Sequence, residues 1–331
     1  MKWRVLLAGI SILAGLSVIG IITYRTGSDL RTVALHLPPR THFLALLVAT
    51  MEVWARGLRF LLLARGMGIP VRAPMVFLSP LVGDAAGAAT PSRVGTDAGK
   101  VACLLRGGME LGGAAAVLFG DLIFEALILV LGGIVVLAIA PEAWIAVLGA
   151  TGYAAVTLLL GATGIFVARL PRGKEPPRLW YRLRLAARRW RQARVVGRRF
   201  IRRSRELRGL SPGFWLALLA ASGLHFIGRL GVLPVVAWHV MLPGSLPALI
   251  GWPMGLIWVA GFLPPPSGGG GVEFGFVATL SSSLPPEAMA GTLFWWRFYS
   301  FYLSAIVGAV LGLLVFGRGV LMGIWSRKPT G

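Results

Sequence analysis

The chain has 331 residues, 56% of them hydrophobic and 14% charged, with 33 Lys and Arg against 12 acids and a formal net charge of +21. A soluble domain carries about 45–50% apolar and about 25% charged residues, so this much apolar surface cannot be hidden inside one globule. The composition excludes a soluble enzyme, a coiled coil and a disordered chain, and leaves a multi-span membrane protein built of helices rather than a barrel.

In chain order, apolar runs of spanning length (about 20 residues) cover residues 3–24, 41–64, 110–140, 143–168, 213–241 and 288–316. The first is too long for a signal h-region and lacks a small-residue cleavage pattern, so it reads as a retained span. Two further apolar stretches are broken in the middle. Residues 73–106 contain Thr90-Pro91-Ser92-Arg93-Val94-Gly95, and residues 247–284 contain Pro264-Pro265-Pro266-Ser267-Gly268-Gly269-Gly270-Gly271. Proline and glycine runs cannot continue a helix, and irregular backbone at membrane depth survives only when buried in protein or lining a wet cavity. Each stretch therefore reads as two half-helices meeting at a loop.

Charge sets the topology. Residues 169–208 hold sixteen Lys and Arg against Glu175 and Glu206, about two thirds of the net charge, which places this segment in the cytoplasm. Lys2 and Arg4 at one end, and Arg318, Arg327 and Lys328 at the other, place both termini there too. Six full spans satisfy these anchors only if each broken stretch enters and leaves on one side, the first from the cytoplasm and the second from outside. The expected architecture is all-α: six spans and two opposed re-entrant hairpins, with an inverted repeat. Residues 1–140 form a first half around the hairpin at 73–106, and residues 141–168 open the second half. Residues 169–211 are a cytoplasmic basic segment, residues 212–317 complete the second half around the hairpin at 247–284, and residues 318–331 are a cytoplasmic tail. Between Arg178 and Arg208 apolar residues recur every three or four positions among arginines. That pattern fits either an amphipathic helix on an anionic inner leaflet or a bare orientation signal. No nucleic-acid module accompanies it.

Charges inside spans are costly and need partners or a polar cavity. Span two carries Glu52, Arg56 and Arg59, and the first break is surrounded by Asp84, Arg93, Asp97 and Lys100. Asp121 and Glu125 follow in span three, then Arg229 in span five, Glu273 after the second break and Arg297 in span six. Glu52 and Arg56, four apart, suit an internal pair. A half-helix starting after Gly95, with Thr96 as N-cap, and another starting near Val272 would aim free N–H groups and positive dipole ends at the loops. Helix N-termini in a protein-lined cavity attract anions, and Arg93 and Lys100 strengthen the first. Interrupted segments at matching places of two inverted halves point to a transporter's binding site. Glu273 has an equal claim as a first-turn acid on its helix dipole. His225 and His239 read as packing residues. Cys103 stands alone, and no metal or cofactor motif, Walker loop or nucleophile elbow is visible.

Thr90-Pro91-Ser92-Arg93-Val94-Gly95, the acids of the next span, Pro265-Pro266-Ser267-Gly268-Gly269-Gly270-Gly271-Val272-Glu273 and Arg297-Phe298-Tyr299-Ser300-Phe301-Tyr302 with Gly308 together resemble the lysylphosphatidylglycerol synthase transmembrane-region family of flippase-like membrane proteins. Here Ser267 precedes the glycines with one glycine more than usual before Val272, and the first motif continues Gly95-Thr96-Asp97 where the family more often has Gly-Glu. The resemblance implies a translocator of a phospholipid or lipid-linked molecule. The bifunctional members append a soluble aminoacyl-transferase domain, and the fifteen residues after the last span leave no room for one.

The expectation is a lipid flippase or scramblase of the inner or plasma membrane, not an enzyme, that needs no cofactor. It would hold a phosphate with Arg93, Lys100 and the backbone of Gly95, Thr96, Ser267, Gly268, Gly269, Gly270 and Gly271. Arg229 and Arg297 would form a second station, with Asp121, Glu125 and Glu273 as balancing acids or sites for a cationic head group. Two alternatives stand: a membrane-embedded transferase using Asp121 or Glu125 as base, and a non-catalytic partner subunit that recruits through the basic helix. The identity of the lipid, the direction and coupling of its movement and the oligomeric state are not encoded legibly.

Overall fold

The structure, a computed structural model, describes residue 20 and residues 37–169, 187–206, 209–263 and 268–317. The expected first span, the C-terminal tail, Ser267 with the three prolines before it and residues 170–186 lie outside the described residues. Every described element is helical, and no strand occurs among the described residues. The protein is thus all-α, the architecture that satisfies backbone groups within each segment in a bilayer.

The helices are α1 (Pro39–Gly66), α2 (Ala73–Ala88), α3 (Gly95–Arg106), α4 (Leu111–Ile139), α5 (Trp144–Arg169), α6 (Ala187–Glu206), α7 (Pro212–Ala237), α8 (Leu246–Val259), α9 (Gly271–Leu280), α10 (Pro286–Arg297) and α11 (Leu303–Phe316). Proline in the first turn marks where α1, α2, α7, α8 and α10 begin, since its missing N–H costs nothing there. Short 3-10 turns precede α3 and α5, and a π-helical turn (Phe298–Tyr302) joins α10 to α11 into one rod. α7 stops at Ala237, short of residue 241. There the bonding tightens, with Val240 N–H donating to the Ala237 carbonyl at 2.9 Å, ahead of Pro243 and Gly244.

Four described stretches are long and apolar enough to cross a bilayer: Leu111–Ile139, Pro141–Leu159, Pro212–Ala237 and Pro286–Phe316. α1 is long enough as well, 28 residues or about 42 Å at 1.5 Å per residue. Its apolarity is diluted by Glu52, Arg56 and Arg59, which are buried and face other helices.

The Pro/Gly interruptions separate pairs of short helices. At 16 and 12 residues, α2 and α3 reach only about 24 and 18 Å, less than the roughly 30 Å of a hydrocarbon core. They fold back on each other, with Gly83 beside the Lys100 stem and Gly99 against the Val82 backbone. A β-carbon at Gly99 would meet the Val82 carbonyl at 2.7 Å, so only glycine allows this approach. α8 and α9, 14 and 10 residues, form the second hairpin with Gly275 against Leu256.

Three apolar clusters tie the helices together. One joins the C-terminal half of α7 to the second hairpin and α10 through Leu233, Leu249, Phe276 and Trp296. Another joins α1, the first hairpin and α4 through Phe60, Leu63, Val76, Leu104 and Val117. The third joins α4, α5 and α8 through Leu129, Ala146, Ala150 and Met254. α1 and α7 pack along each other at the centre, and α2 lies against α11. The basic helix α6 rests on α4 and α5 with Trp190 and Arg194 buried, while Arg202 and Arg205 stay exposed. Phe43, Ile134, Leu148 and Leu314 point outward and are more than half exposed, as side chains facing lipid do.

Candidate functional site

Between the clusters lies a cavity of about 250 Å³ whose walls are charged. Arg56 and Arg59 enter it from α1, Asp84 from α2, Asp97 and Lys100 from α3, Asp121 and Glu125 from α4, and His225 and Arg229 from α7. Arg93 reaches in from the loop between α2 and α3, and Tyr153 and Trp258 close the side toward α5 and α8. A larger groove of about 950 Å³ runs along α4 and α7, but its lining is almost wholly apolar, with Leu131, Val135, Ile227 and Leu230. Ion chemistry belongs to the smaller cavity.

Ion pairs organise the walls into two groups. In the first, the Arg56 guanidinium grips both Asp84 oxygens, at 3.2 and 2.8 Å, and also donates to Glu52 at 3.0 Å. Arg93 donates to the same Asp84 at 3.2 Å, and the other Glu52 oxygen takes Arg229 at 3.0 Å with His225 Nδ1 at 3.1 Å. In the second group Arg59 donates to Asp121, and Lys100 lies 3.8 Å from Asp121 and 3.4 Å from Asp97. Glu125 accepts the Trp258 indole N–H at 2.7 Å. The first group holds three guanidinium groups against two carboxylates, and the second holds two cations against three. The cavity thus offers a site rich in positive charge facing one rich in negative charge.

Local backbone accounts for the placement of Arg93. Ser92 and Arg93 have φ of 48° and 55°, in the left-handed region that non-glycine residues seldom adopt. Such strain costs roughly 1–3 kcal/mol per residue and gathers at functional sites. Here it turns the Arg93 side chain inward to Asp84 and sets its guanidinium 5.3 Å from the centre of the Phe301 ring. Ser92 Oγ meanwhile donates to the Leu263 carbonyl at 3.1 Å, so the two interrupted hairpins touch at their breaks.

Several expected details differ. Thr96 is not the N-cap of α3: it lies inside the helix with its hydroxyl against Gly87, and the Gly95 N–H is taken by the Thr90 hydroxyl at 2.8 Å. At α9 the Glu273 carboxylate folds back onto the Gly270 N–H at 2.7 Å and pairs with Arg297 at 2.8 Å. Glu273 is fully buried there and occupies the positive helix end itself. Gly268 and Gly270 adopt φ of 67° and 81° that shape this turn, with Gly269 and Gly271 beside them, outside the charged cavity. Arg297 likewise stays out of the cavity and stacks on the far side of the pairing, 5.4 Å from Phe301. Arg229 and Arg297 therefore do not form one station, whereas Arg93, Lys100, Asp121, Glu125 and Arg229 share one cavity.

His225, which the sequence alone suggests is a packing residue, also lines the cavity, and its four-residue spacing to Arg229 puts both on one face of α7. Tyr153 and Trp258 carry no such signal, being aromatics within apolar runs. Trp258→Phe is expected to leave the Glu125 carboxylate without its donor and to cost about 1–3 kcal/mol, readable as a lowered melting temperature in detergent.

A family model described as lysylphosphatidylglycerol synthase TM region matches residues 7–308. The chain belongs to that family. No curated protein matches it. The matched span takes in both hairpins, every charged residue of the cavity and the π-helical turn. This member of the lysylphosphatidylglycerol synthase TM-region family is therefore a membrane protein of a lipid-handling family whose polar cavity sits where its two interrupted hairpins meet.

Proposed function

We propose that the protein carries a phosphate-bearing lipid head group across the bilayer through the charged cavity, as a flippase or scramblase rather than an enzyme. The observation that carries this reading is the cavity itself: five Lys and Arg side chains, with Arg56, Arg59 and Arg229 buried and Arg93 and Lys100 partly so, around about 250 Å³ of open space. An arrangement serving stability alone would close around its pairs, since burying ions without a use for them gains little over apolar packing. At roughly 30 Å³ per water, the space suits a head group and not acyl chains, which would stay in the hydrocarbon. Arg93 and Lys100 would hold the phosphate, Arg229 would receive it, and Glu125 or Asp97 would accept a cationic group on the same head. Asp121, held by Arg59 and Lys100, and Glu125, which accepts from the Trp258 indole, are both engaged as acceptors, which disfavours either as the base of the transferase alternative.

The exposed arginines of α6 suit an anionic inner leaflet, and on this reading they anchor the cytoplasmic side of the protein in the plasma or inner membrane. Both termini would then be cytoplasmic, with the hairpins entering from opposite faces.

The test is reconstitution into phosphatidylcholine vesicles with a trace of fluorescent phosphatidylglycerol, its movement followed by dithionite quenching. Arg93→Ala and Lys100→Ala are each expected to slow movement at least about tenfold, the loss of about 1.4 kcal/mol of stabilisation along the path. Equal rates in both variants and the parent would overturn the reading.

A further inference from the structure

A second cavity of about 350 Å³ lies on the other side of Glu52 and Arg229, lined by Thr50, Trp54, Phe77, Tyr299, Ser304 and Val307. It opens toward lipid: Trp54 is 49% exposed and Val307 36%. Arg229 lines both cavities, and Glu52 lines this one while bonding Arg56, His225 and Arg229 of the charged cavity. The wall between them is thus one layer of ion-paired side chains. α1 and α7 meet here through Gly228, where a β-carbon would lie 2.9 Å from the Glu52 β-carbon, so Glu52 sits at the closest approach of the two helices.

The opposite wall of this groove is the π-helical turn, which contributes Tyr299 and Ser300. Single π turns inside long helices are frequent at functional sites. The same turn carries Phe301, the ring on which Arg93 rests, so the loop that places Arg93 and the wall of the groove are in direct contact.

We propose that this groove is the lateral mouth of the charged cavity, through which a phosphate-bearing lipid head group passes, and that the Glu52 ion-pair layer is the door. The inference rests on the translocation reading above. A phosphate arriving at Arg229 and Arg56 replaces the Glu52 carboxylate as their partner, so neither guanidinium is left unpaired during passage, the circumstance that makes a broken buried pair costly. Ser300 offers a hydroxyl to the head group beyond the door, while the acyl chains lie along the apolar rest of the groove.

The test uses the full chain in the same vesicles, with binding of glycerol phosphate to the detergent-solubilised protein as a separate readout of the charged cavity. Thr50→Trp and Ser304→Trp fill the groove without touching the cavity. Each is expected to slow lipid movement at least about tenfold while glycerol phosphate binding stays within about twofold of the parent. Glu52→Gln removes the competitor for Arg229 and is expected to speed movement several-fold, and Thr50→Trp added to it restores the block. Parental rates in both tryptophan variants overturn the proposal, as does a slowing in Glu52→Gln with glycerol phosphate binding intact. Thr50 sits on an exposed part of α1, so Thr50→Trp decides the matter even if Glu52→Gln does not fold. If the parent itself moves no lipid, the translocation reading fails, and that outcome is distinct from a parent that works alongside unaffected tryptophan variants.

Discussion

Replacing Asp84 with alanine is expected to destabilise the folded chain by about 3–5 kcal/mol, the cost of removing one partner from a buried ion pair. Asp84 is 1% exposed and accepts from Arg56 twice and from Arg93 once, so its loss takes the carboxylate from Arg93 and leaves Arg56 with Glu52 alone. The measurement is thermal unfolding in detergent, followed by size exclusion. Asp84→Asn keeps acceptor geometry and should lose less. The double variant Asp84→Ala with Arg56→Met should recover part of the loss, because a well-packed apolar pair replaces a charge left alone. Recovery would show that Asp84 serves chiefly as a counter-charge. A double variant as unstable as Asp84→Ala would place its role in shaping the loop around Arg93.

The second large effect concerns the contact between the last span and the first hairpin. Gly308 of α11 lies so close to Leu81 of α2 that an added β-carbon would fall on the Leu81 carbonyl. Backbone cannot rotate out of the way as a flexible side chain does, so Gly308→Ala must push the two helices apart. Overpacking of this kind typically costs about 1–3 kcal/mol and occasionally more. Gly312, one turn further on, is the internal control. A β-carbon there meets Val82 side-chain atoms at 3.4 and 3.9 Å, ordinary packing distances, so Gly312→Ala should leave the melting temperature close to that of the parent. Equal effects from the two substitutions would contradict the helix approach described here.

The sequence made the membrane class and the hairpins legible because both are signalled locally. Composition reports the solvent, and Pro91 or Gly268–Gly271 interrupt a helix wherever the chain goes. The Glu52–Arg56 pair was legible for the same reason, being four residues apart on one helix. What stayed hidden depends on residues far apart in the chain. Asp84 meets Arg56 across 28 positions, Glu52 meets Arg229 across 177, and Glu125 meets Trp258 across 133. No periodicity encodes such meetings. The Thr96 expectation differs because α3 begins one residue earlier, at Gly95, whose N–H is taken by Thr90 from the end of α2, so Thr96 falls inside the helix. Glu273 was legible as a first-turn acid, but its partner Arg297 is fixed only by the packing of α10 on the second hairpin.

The π-helical turn at Phe298–Tyr302 works as a phase shifter. One surplus residue in an α-helix rotates everything after it by about 100° relative to everything before. Upstream, Trp296 and Arg297 face Phe276 and Glu273 of one hairpin, and downstream Gly308 faces Leu81 of the other. A single rod can therefore clasp two partners on different azimuths only because its winding slips by one residue between them. Excising one residue from that turn would straighten the winding and oblige the rod to choose.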